Sequence, residues 1–296
     1  MIGLHLDMDE RAYRADPCPE PSLNHSVARL ILRSPLHGWR EHPRLGGGRE
    51  EARASGARSM MAIGAAAHKL TLGKGASLAR IDAPDFRSKA AQYARDDAEC
   101  AGLIAVLEKQ YEIAEAMAEE ARPAIAAELG DDFHAEAVAI ARDDYGSWLR
   151  CMCDAITPDL RLILDWKTTE SAEPETFAKK IRADYTTQAA FYSHILDLID
   201  PKGAGRRRFV FGVQERECPQ AITFHELDPA LMEIAAKQME RARVKWAACL
   251  AIGKWPAYER GPHIVSPKPW EIDAEMERQY QDDTAQAALE AEEVFS

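Results

Sequence analysis

The chain has 296 residues, 46% of them apolar, enough to build a sizeable core, and a formal net charge of −12. No apolar run is long enough to span a bilayer, the first residues carry acids where a signal peptide needs a basic start, and the six cysteines form no CxxC pair. A membrane protein, a disulfide scaffold and a zinc knuckle are therefore disfavoured as readings, and a cytoplasmic location is expected. The acidic balance is uneven: from Glu271 onward nine acids face one arginine, whereas the first sixty residues carry nine arginines and eight acids. A local basic groove is compatible with that distribution.

Residues 1–21 are polar and proline-containing, and read as an arm. SLNHSVARLILRS (22–34) predicts an amphipathic helix with Ser22 as its N-cap. The stretch GGGREEARASGARS (46–59), rich in glycine and arginine, predicts a mobile loop whose arginines could meet a phosphate backbone, or a solvated linker. MMAIGAAAHKLTLG (60–73) predicts a helix of small residues that packs closely and stops at Gly73. The span from Pro84 to Leu129 reads as helical throughout. Strand text follows at DFHAEAVAIARD, SWLRCMCDAI and RLILDWKTT, then two helices (PETFAKKIRAD and YTTQAAFYSHILDLI), two strands (RRRFVFGVQE and AITFHEL) and a long helix opened by Asp228-Pro229. That order predicts an α/β fold with a mixed central sheet flanked by helices. The domain plan is an N-terminal arm and helical segment over 1–59, a main domain over 60–270, and an acidic tail over 271–296 expected to be disordered.

The hairpin CDAITPDLRLILDWKTT (153–169) places charged residues in apolar text. A turn centred between Asp159 and Leu160 sets residues whose numbers sum to 319 opposite one another, and Asp154 and Asp165 satisfy that sum. Opposed Cβ atoms lie about 4.5–5.5 Å apart, so the two carboxylates repel unless a cation sits between them. Oxygen ligands of this kind suit magnesium, with manganese the alternative. Asp165 and Lys167 share a face of the strand while Trp166 points the other way. An ammonium there orients an attacking water or offsets charge on a phosphate. The bland reading of the same residues is an exposed acid–base pair on a sheet edge.

Asp154 followed by Asp165-Trp166-Lys167 resembles the PD-(D/E)xK nuclease motif, here as D…DxK. Gln188 and Tyr192 resemble the QxxxY motif of the branch that includes RecB-type nuclease domains, and His68 in IGAAAHKL resembles its GxxxH helix. Over residues 13 to 270 the chain is similar to the RecE-like (exonuclease VIII type) exodeoxyribonucleases of phages and prophages. The resemblance implies a restriction-endonuclease-like core and a magnesium-dependent enzyme that degrades one strand of duplex DNA from its 5′ end. Such an enzyme leaves 3′ overhangs for recombination with a single-strand annealing protein, and is a homo-oligomeric ring without membrane attachment.

Carried over, Asp154 and Asp165, His68 and the Trp166 backbone carbonyl bind the metal, Lys167 serves the water, and Gln188 and Tyr192 support the site and the DNA. The second acid is aspartate where glutamate is commoner, and no arginine stands just before the first acid, so Arg150 is the candidate for that phosphate contact. Arg206, Arg207 and Arg208 are further candidate DNA contacts; Glu136, on the preceding strand, could add another carboxylate, but a surface position is the expectation. An iron–sulfur cluster is excluded by the distance between Cys218 and Cys249. The competing readings are an endonuclease or single-strand nuclease of the same fold, and an inactive DNA-end-binding module.

Overall fold

In the computed structural model, which describes residues 1–46 and 55–294, the chain opens with a short strand β1 (Gly3–His5) and three helices, α1 (Glu10–Arg14), α2 (His25–Arg33) and α3 (Pro35–Glu41). The residues read as an arm are thus part of the fold, because β1 pairs antiparallel with a central strand. Asn24, not Ser22, caps α2, its side chain accepting from Val27 N–H. Most of the glycine- and arginine-rich loop falls at 47–54, outside the described residues.

Helix α4 (Ser55–Leu72) is followed by β2 (Leu78–Ile81), α5 (Lys89–Cys100), β3 (Ile104–Leu107) and α6 (Glu108–Leu129). The helical reading of 84–129 is corrected here: Gly102, with φ of 76°, ends α5, and the run Ile104–Leu107 pairs parallel with β2 in a two-stranded sheet. The predicted strands then appear as β4 (His134–Arg142), β5 (Trp148–Ile156) and β6 (Leu162–Thr169). Helix α7 (Pro174–Lys180) runs through a wider turn of helix at Ile181–Tyr185 into α8 (Thr186–Ile199), before β7 (Arg208–Glu215), β8 (Ile222–Glu226) and α9 (Pro229–Ile252).

The main sheet has the order β1-β4-β5-β6-β7-β8, with β6 and β7 parallel and the other pairs antiparallel. A parallel pair needs a crossover, and α7 and α8 supply it. Helices α2, α8 and α9 bury one face through Val27, Ile31, Phe191, Ile195, Met239 and Trp246. Helix α6 covers the other through Ala121, Ile125 and Leu129. Both faces of β6 are therefore covered, which explains its nearly unbroken apolar text. Its odd positions face α8; Leu162, Leu164 and Trp166 face α6. The Trp166 ring fits only because Gly212 lies beside it on β7, where a Cβ would run into the indole.

Two compact units partition the chain, Met1–Ala257 and Tyr258–Ser296. The first joins the N-terminal segment to the nuclease-motif region, unlike the division at residue 59. In the second, the acidic tail expected to be disordered forms a helix, α10 (Pro269–Val294). Its alanine, glutamate and glutamine content favours helix. Among the described residues no helix is long and apolar enough to cross a membrane.

Candidate active site

The pairing of β5 with β6 has the expected register: Ala155 faces Leu164 and Ile156 faces Ile163, both sums being 319. The next step along the ladder brings Asp154 opposite Asp165. Backbone pairing stops short of them, and Asp154 Oδ2 instead accepts from the Trp166 N–H at 2.7 Å. On its other side β5 pairs with β4, Ala135 facing Ala155 and Ala137 facing Cys153. This places Glu136 opposite Asp154. Three carboxylates thus stand in one row across β4, β5 and β6.

Side-chain alternation breaks at this row. Ala137 and Cys153 belong to the core beneath α8, whereas Ala135 and Ala155 belong to the core against α6. Positions two apart on a regular strand would share a face. The break coincides with Glu136, whose φ of 47° is unusual for a side chain that is not glycine. Expected at the surface, Glu136 is buried at 7% exposure. The turn in the backbone brings it inward.

Helix α4 supplies the imidazole. At Gly64 a Cβ would stand 2.8 Å from Thr168 Oγ1, so glycine is what lets the helix approach β6. One turn further, His68 Nε2 lies 3.4 Å from Asp154 Oδ1 and Nδ1 lies 3.6 Å from Glu136 Oε1. The spacing of Gly64 and His68 therefore has a steric reason: the first permits the contact and the second uses it.

Asp165 is held from two sides. Gln188 on α8 donates from Nε2 to Oδ1 at 2.5 Å, and the Lys167 ammonium pairs with Oδ2. Tyr185, in the wider turn before α8, lays its ring 5.2 Å from Lys167 Nζ. Such turns recur at functional sites. Nearby, His25 Nε2 meets Thr187 Oγ1 at 2.9 Å. Tyr185 and His25 carry no motif signal in the sequence; only the fold brings them here.

The electrostatics are those of charges crowded out of water. Burial pushes the Asp165 carboxyl up to about 6, Asp154 adding to the rise against the pull of Lys167 and His68. Burial also opposes charge on Asp154, but His68, Lys167 and the Trp166 N–H outweigh it and hold that carboxyl below its ordinary value. His68 and Lys167 are both raised, their neighbouring carboxylates overcoming the cost of burial. Glu136 is raised by burial and by Glu10 and Asp154, against His68. One group in the row is thus poised to give up its charge near neutrality while its neighbour keeps it.

Solvent reaches the row through a hollow of about 270 Å³ lined by Gly64, His68, Lys69, Lys74, Glu136 and Asp154. It adjoins a larger cleft of about 720 Å³ that shares Lys69, Lys74 and Glu136 and adds Arg11. Lys69 and Lys74 donate to the carbonyls of Gly73 and Leu6, and among the described residues neither forms an ion pair with an acid within 4 Å.

Among the described residues no group of three or more His, Cys, Asp or Glu side chains stands ready to hold a metal ion. The acids are drawn toward Lys167, Gln188, His68 and the Trp166 N–H instead. The donor set still suits a hard divalent cation. Asp165 is a buried carboxylate whose charge is disfavoured, and it faces a second carboxylate across the hairpin; added positive charge is what such a pair lacks.

Other expected site residues lie elsewhere. Tyr192 is buried one turn beyond Gln188, its ring packed edge-on against Phe209 at 5.9 Å, in the core beneath the site. Arg150, expected to contact phosphate, is fully enclosed: it donates to Ser22 O at 2.7 Å and Tyr13 O at 3.2 Å and pairs with Asp16 at 3.3 Å. Arg207 is likewise consumed by Asp197 and Asp200, and Arg208 by Glu128 and Glu226. Arg206 donates to the Lys202 carbonyl. Parallel pairing sets Arg208 beside Leu162, three residues before Asp165 on β6. Arg207 is enclosed with the acids that answer its charge, which corrects its reading as a DNA contact, whereas Arg206 and Arg208 stay at the surface.

A family model described as a PDDEXK-like domain of unknown function (DUF3799) matches residues 61–261. The chain belongs to this PDDEXK-like family. The PDDEXK-like core takes in α4 with His68, the hairpin with both aspartates and Lys167, and α8 with Gln188. Among solved structures the chain is similar to a protein of Eubacterium rectale described as a "Putative exonuclease", with a TM-score of 0.58 and 12% identity. That likeness covers 90% of this chain and 96% of the other, and shows the restriction-endonuclease-like fold. A second structure, SSO0001, matches at a TM-score of 0.27 and 12% identity over 51% of this chain and 69% of its own, which carries no argument. No curated protein matches the chain. Membership and fold together make this a nuclease of the PD-(D/E)xK type.

Proposed function

We propose that this PDDEXK-like nuclease is a divalent-metal-dependent exodeoxyribonuclease. It degrades one strand of linear duplex DNA from the 5′ end, releases 5′-phosphorylated nucleotides, and leaves 3′ overhangs for a single-strand annealing partner in phage or prophage recombination. The observation that carries the nuclease chemistry is the clamped Asp165: Gln188 on one oxygen, Lys167 on the other, and Asp154 facing it across the hairpin. The polarity, the ring-shaped oligomer and the recombination role rest on the RecE-like resemblance of residues 13–270.

Asp154, Asp165, the Trp166 carbonyl and His68 are the residues that would hold magnesium, or manganese in its place. A divalent cation bound there supplies a lowered water pKa and a polarised phosphoryl group. Gln188 fixes the Asp165 carboxylate so that one oxygen stays turned to Lys167. The Lys167 ammonium, boxed by Asp165 and the Tyr185 ring, orients the attacking water and offsets charge that builds on the phosphate. His68 holds Asp154 in its ionised form. Lys69 and Lys74 flank the hollow through which the phosphodiester approaches, and their charge draws the backbone toward otherwise repellent carboxylates.

The test uses linear duplex labelled at either end, a covalently closed circle and single strands, each incubated with protein and Mg²⁺. Progressive loss of the 5′ label from linear duplex, with circles intact, is the expected result. Nicked or linearised circles would replace this reading with the endonuclease, and degradation confined to single strands with the single-strand enzyme. Folded, metal-loaded protein that binds duplex ends and cuts nothing would establish the inactive end-binding module.

A further inference from the structure

Glu136 stands outside the D…DxK motif, and its surroundings are hard to explain as packing. It lies in register with Asp154 on the neighbouring strand, extending the row of carboxylates to three. Its backbone adopts φ of 47° inside a buried strand, a conformation that costs a non-glycine residue stability. Its carboxylate is buried among like charges, with His68 Nδ1 at 3.6 Å as its cationic partner. Gly75, itself at φ of 101°, passes so close that a Cβ there would stand 2.7 Å from Glu136 Oε1. An ordinary core position would be filled better by alanine, as at Ala135 and Ala137 on either side.

We propose that Glu136 is a positioning residue of the nuclease site: it takes the Nδ1–H of His68, so that Nε2, which faces Asp154, is the nitrogen that would give up its proton to solvent and turn its lone pair to the metal. An imidazole left to itself distributes its proton between both nitrogens and can turn about χ2. A carboxylate on one side removes both freedoms, the device by which outer carboxylates orient metal-binding histidines. The unusual φ marks where the alternation of β4 breaks, and the carboxylate at that break lies beside the ring. This inference rests on the nuclease reading of the site.

Glu136→Gly and Glu136→Gln separate the possibilities. Glycine tolerates the positive φ and removes the buried acid; glutamine keeps a carbonyl that can accept the same N–H. Thermal midpoint, Mn²⁺ affinity by titration calorimetry, and the imidazole nitrogen shifts of His68 in metal-free protein at alkaline pH are measured, the signal being assigned with His68→Asn. The glycine variant is expected to melt no lower than the parent, to bind Mn²⁺ about 10–100-fold more weakly, and to lower the share of neutral His68 that carries its proton on Nδ1. The glutamine variant should keep the tautomer and most of the affinity. A glycine variant that melts lower, with tautomer and affinity unchanged, would make Glu136 an ordinary core residue and overturn the proposal. A parent that binds Mn²⁺ yet cuts no DNA would sink the nuclease function while the His68 response still decided the role of Glu136.

Discussion

Strand β5 carries two charged residues four positions apart, Arg150 fully buried and Asp154 partly so, and they live in opposite circumstances. Arg150 belongs to a cluster with Asp16, Ser22 and His42 in which the polar groups answer one another. Asp16 accepts from Ser22 N–H at 2.9 Å and Ser22 Oγ at 2.6 Å, and faces His42 at 3.2 Å and Arg150 at 3.3 Å. Burial alone would raise Asp16, yet His42, Arg150 and Ser22 outweigh it and bring the carboxyl down to about 2. Asp154 belongs to the row in which Asp165 is pushed up to about 6 despite a lysine beside it. Burial is common to both clusters. What separates a cluster that holds the fold from one built for chemistry is whether its charges are already satisfied.

The comparison breaks most sharply under substitution. Asp165→Asn should abolish DNA cleavage by on the order of 1,000-fold or more, with no loss of thermal midpoint, because the amide keeps the shape and removes a disfavoured charge. Arg150→Met should do the converse. It strands Asp16 without its guanidinium and should cost about 3–5 kcal/mol in urea denaturation, while molecules that remain folded cut at the parental rate. If Arg150→Met instead left stability intact and weakened duplex binding, the discarded phosphate-contact reading would return.

Proton uptake sharpens the same contrast. His25 is brought down to about 3 and His194 to about 4, burial being the largest cause for each. Both are neutral in the folded chain and titrate near 6.5 once unfolded. The unfolded state therefore binds more protons below that value. Their stabilising contribution is complete above pH 6.5 and is lost as pH falls toward 4. Asp16 behaves with its own window: its contribution persists down to about 3.8 and disappears between there and 2. Urea midpoints measured from pH 7.5 to 3.5 should decline first in the histidine window, and His194→Gln should flatten that decline.

The smallest effect is expected at the rim. Lys69→Ser and Lys74→Ser, tested in the Asp165→Asn background by fluorescence anisotropy, should each weaken duplex binding modestly. Each should also reduce the slope of log affinity against log salt by about 1. Equal losses from Lys237→Ser, on the remote face of α9, would show that the effect is general charge and not the cleft.

Much of this was legible before the fold was seen, for local reasons. The turn residues Thr157, Pro158 and Asp159 set a register that two backbone pairs realise, and period-two alternation put Asp165 and Lys167 on one face. Helix spacing put Gly64 and His68 one turn apart. The failures were non-local. Arg150 looked free because its partner Asp16 is distant in sequence. Arg207 reads as a phosphate contact because no sequence pattern announces the turn after α8 that brings Asp197 and Asp200 to it. Glu136 reads as a surface carboxylate because nothing in the sequence marks the backbone break at which it is buried. Strand β3 hid in helix-favouring text, four residues carrying too little pattern to declare themselves. The tail's charge suggests disorder, though its side chains are good helix formers.

The two oxygens of Asp154 do different jobs: Oδ2 ties the hairpin by way of the Trp166 amide, and Oδ1 turns to the imidazole of His68. The most conservative exchange available, an amide, can serve only one of them as an acceptor. If its oxygen takes the Trp166 N–H, its NH₂ confronts Nε2 and demands a proton-free nitrogen there. If it flips, the amide places donor against donor at the backbone. An engineer seeking a folded but silent version of this enzyme would therefore do better to alter Asp165, whose two partners are side-chain and not backbone donors, than to touch the aspartate that also closes the hairpin.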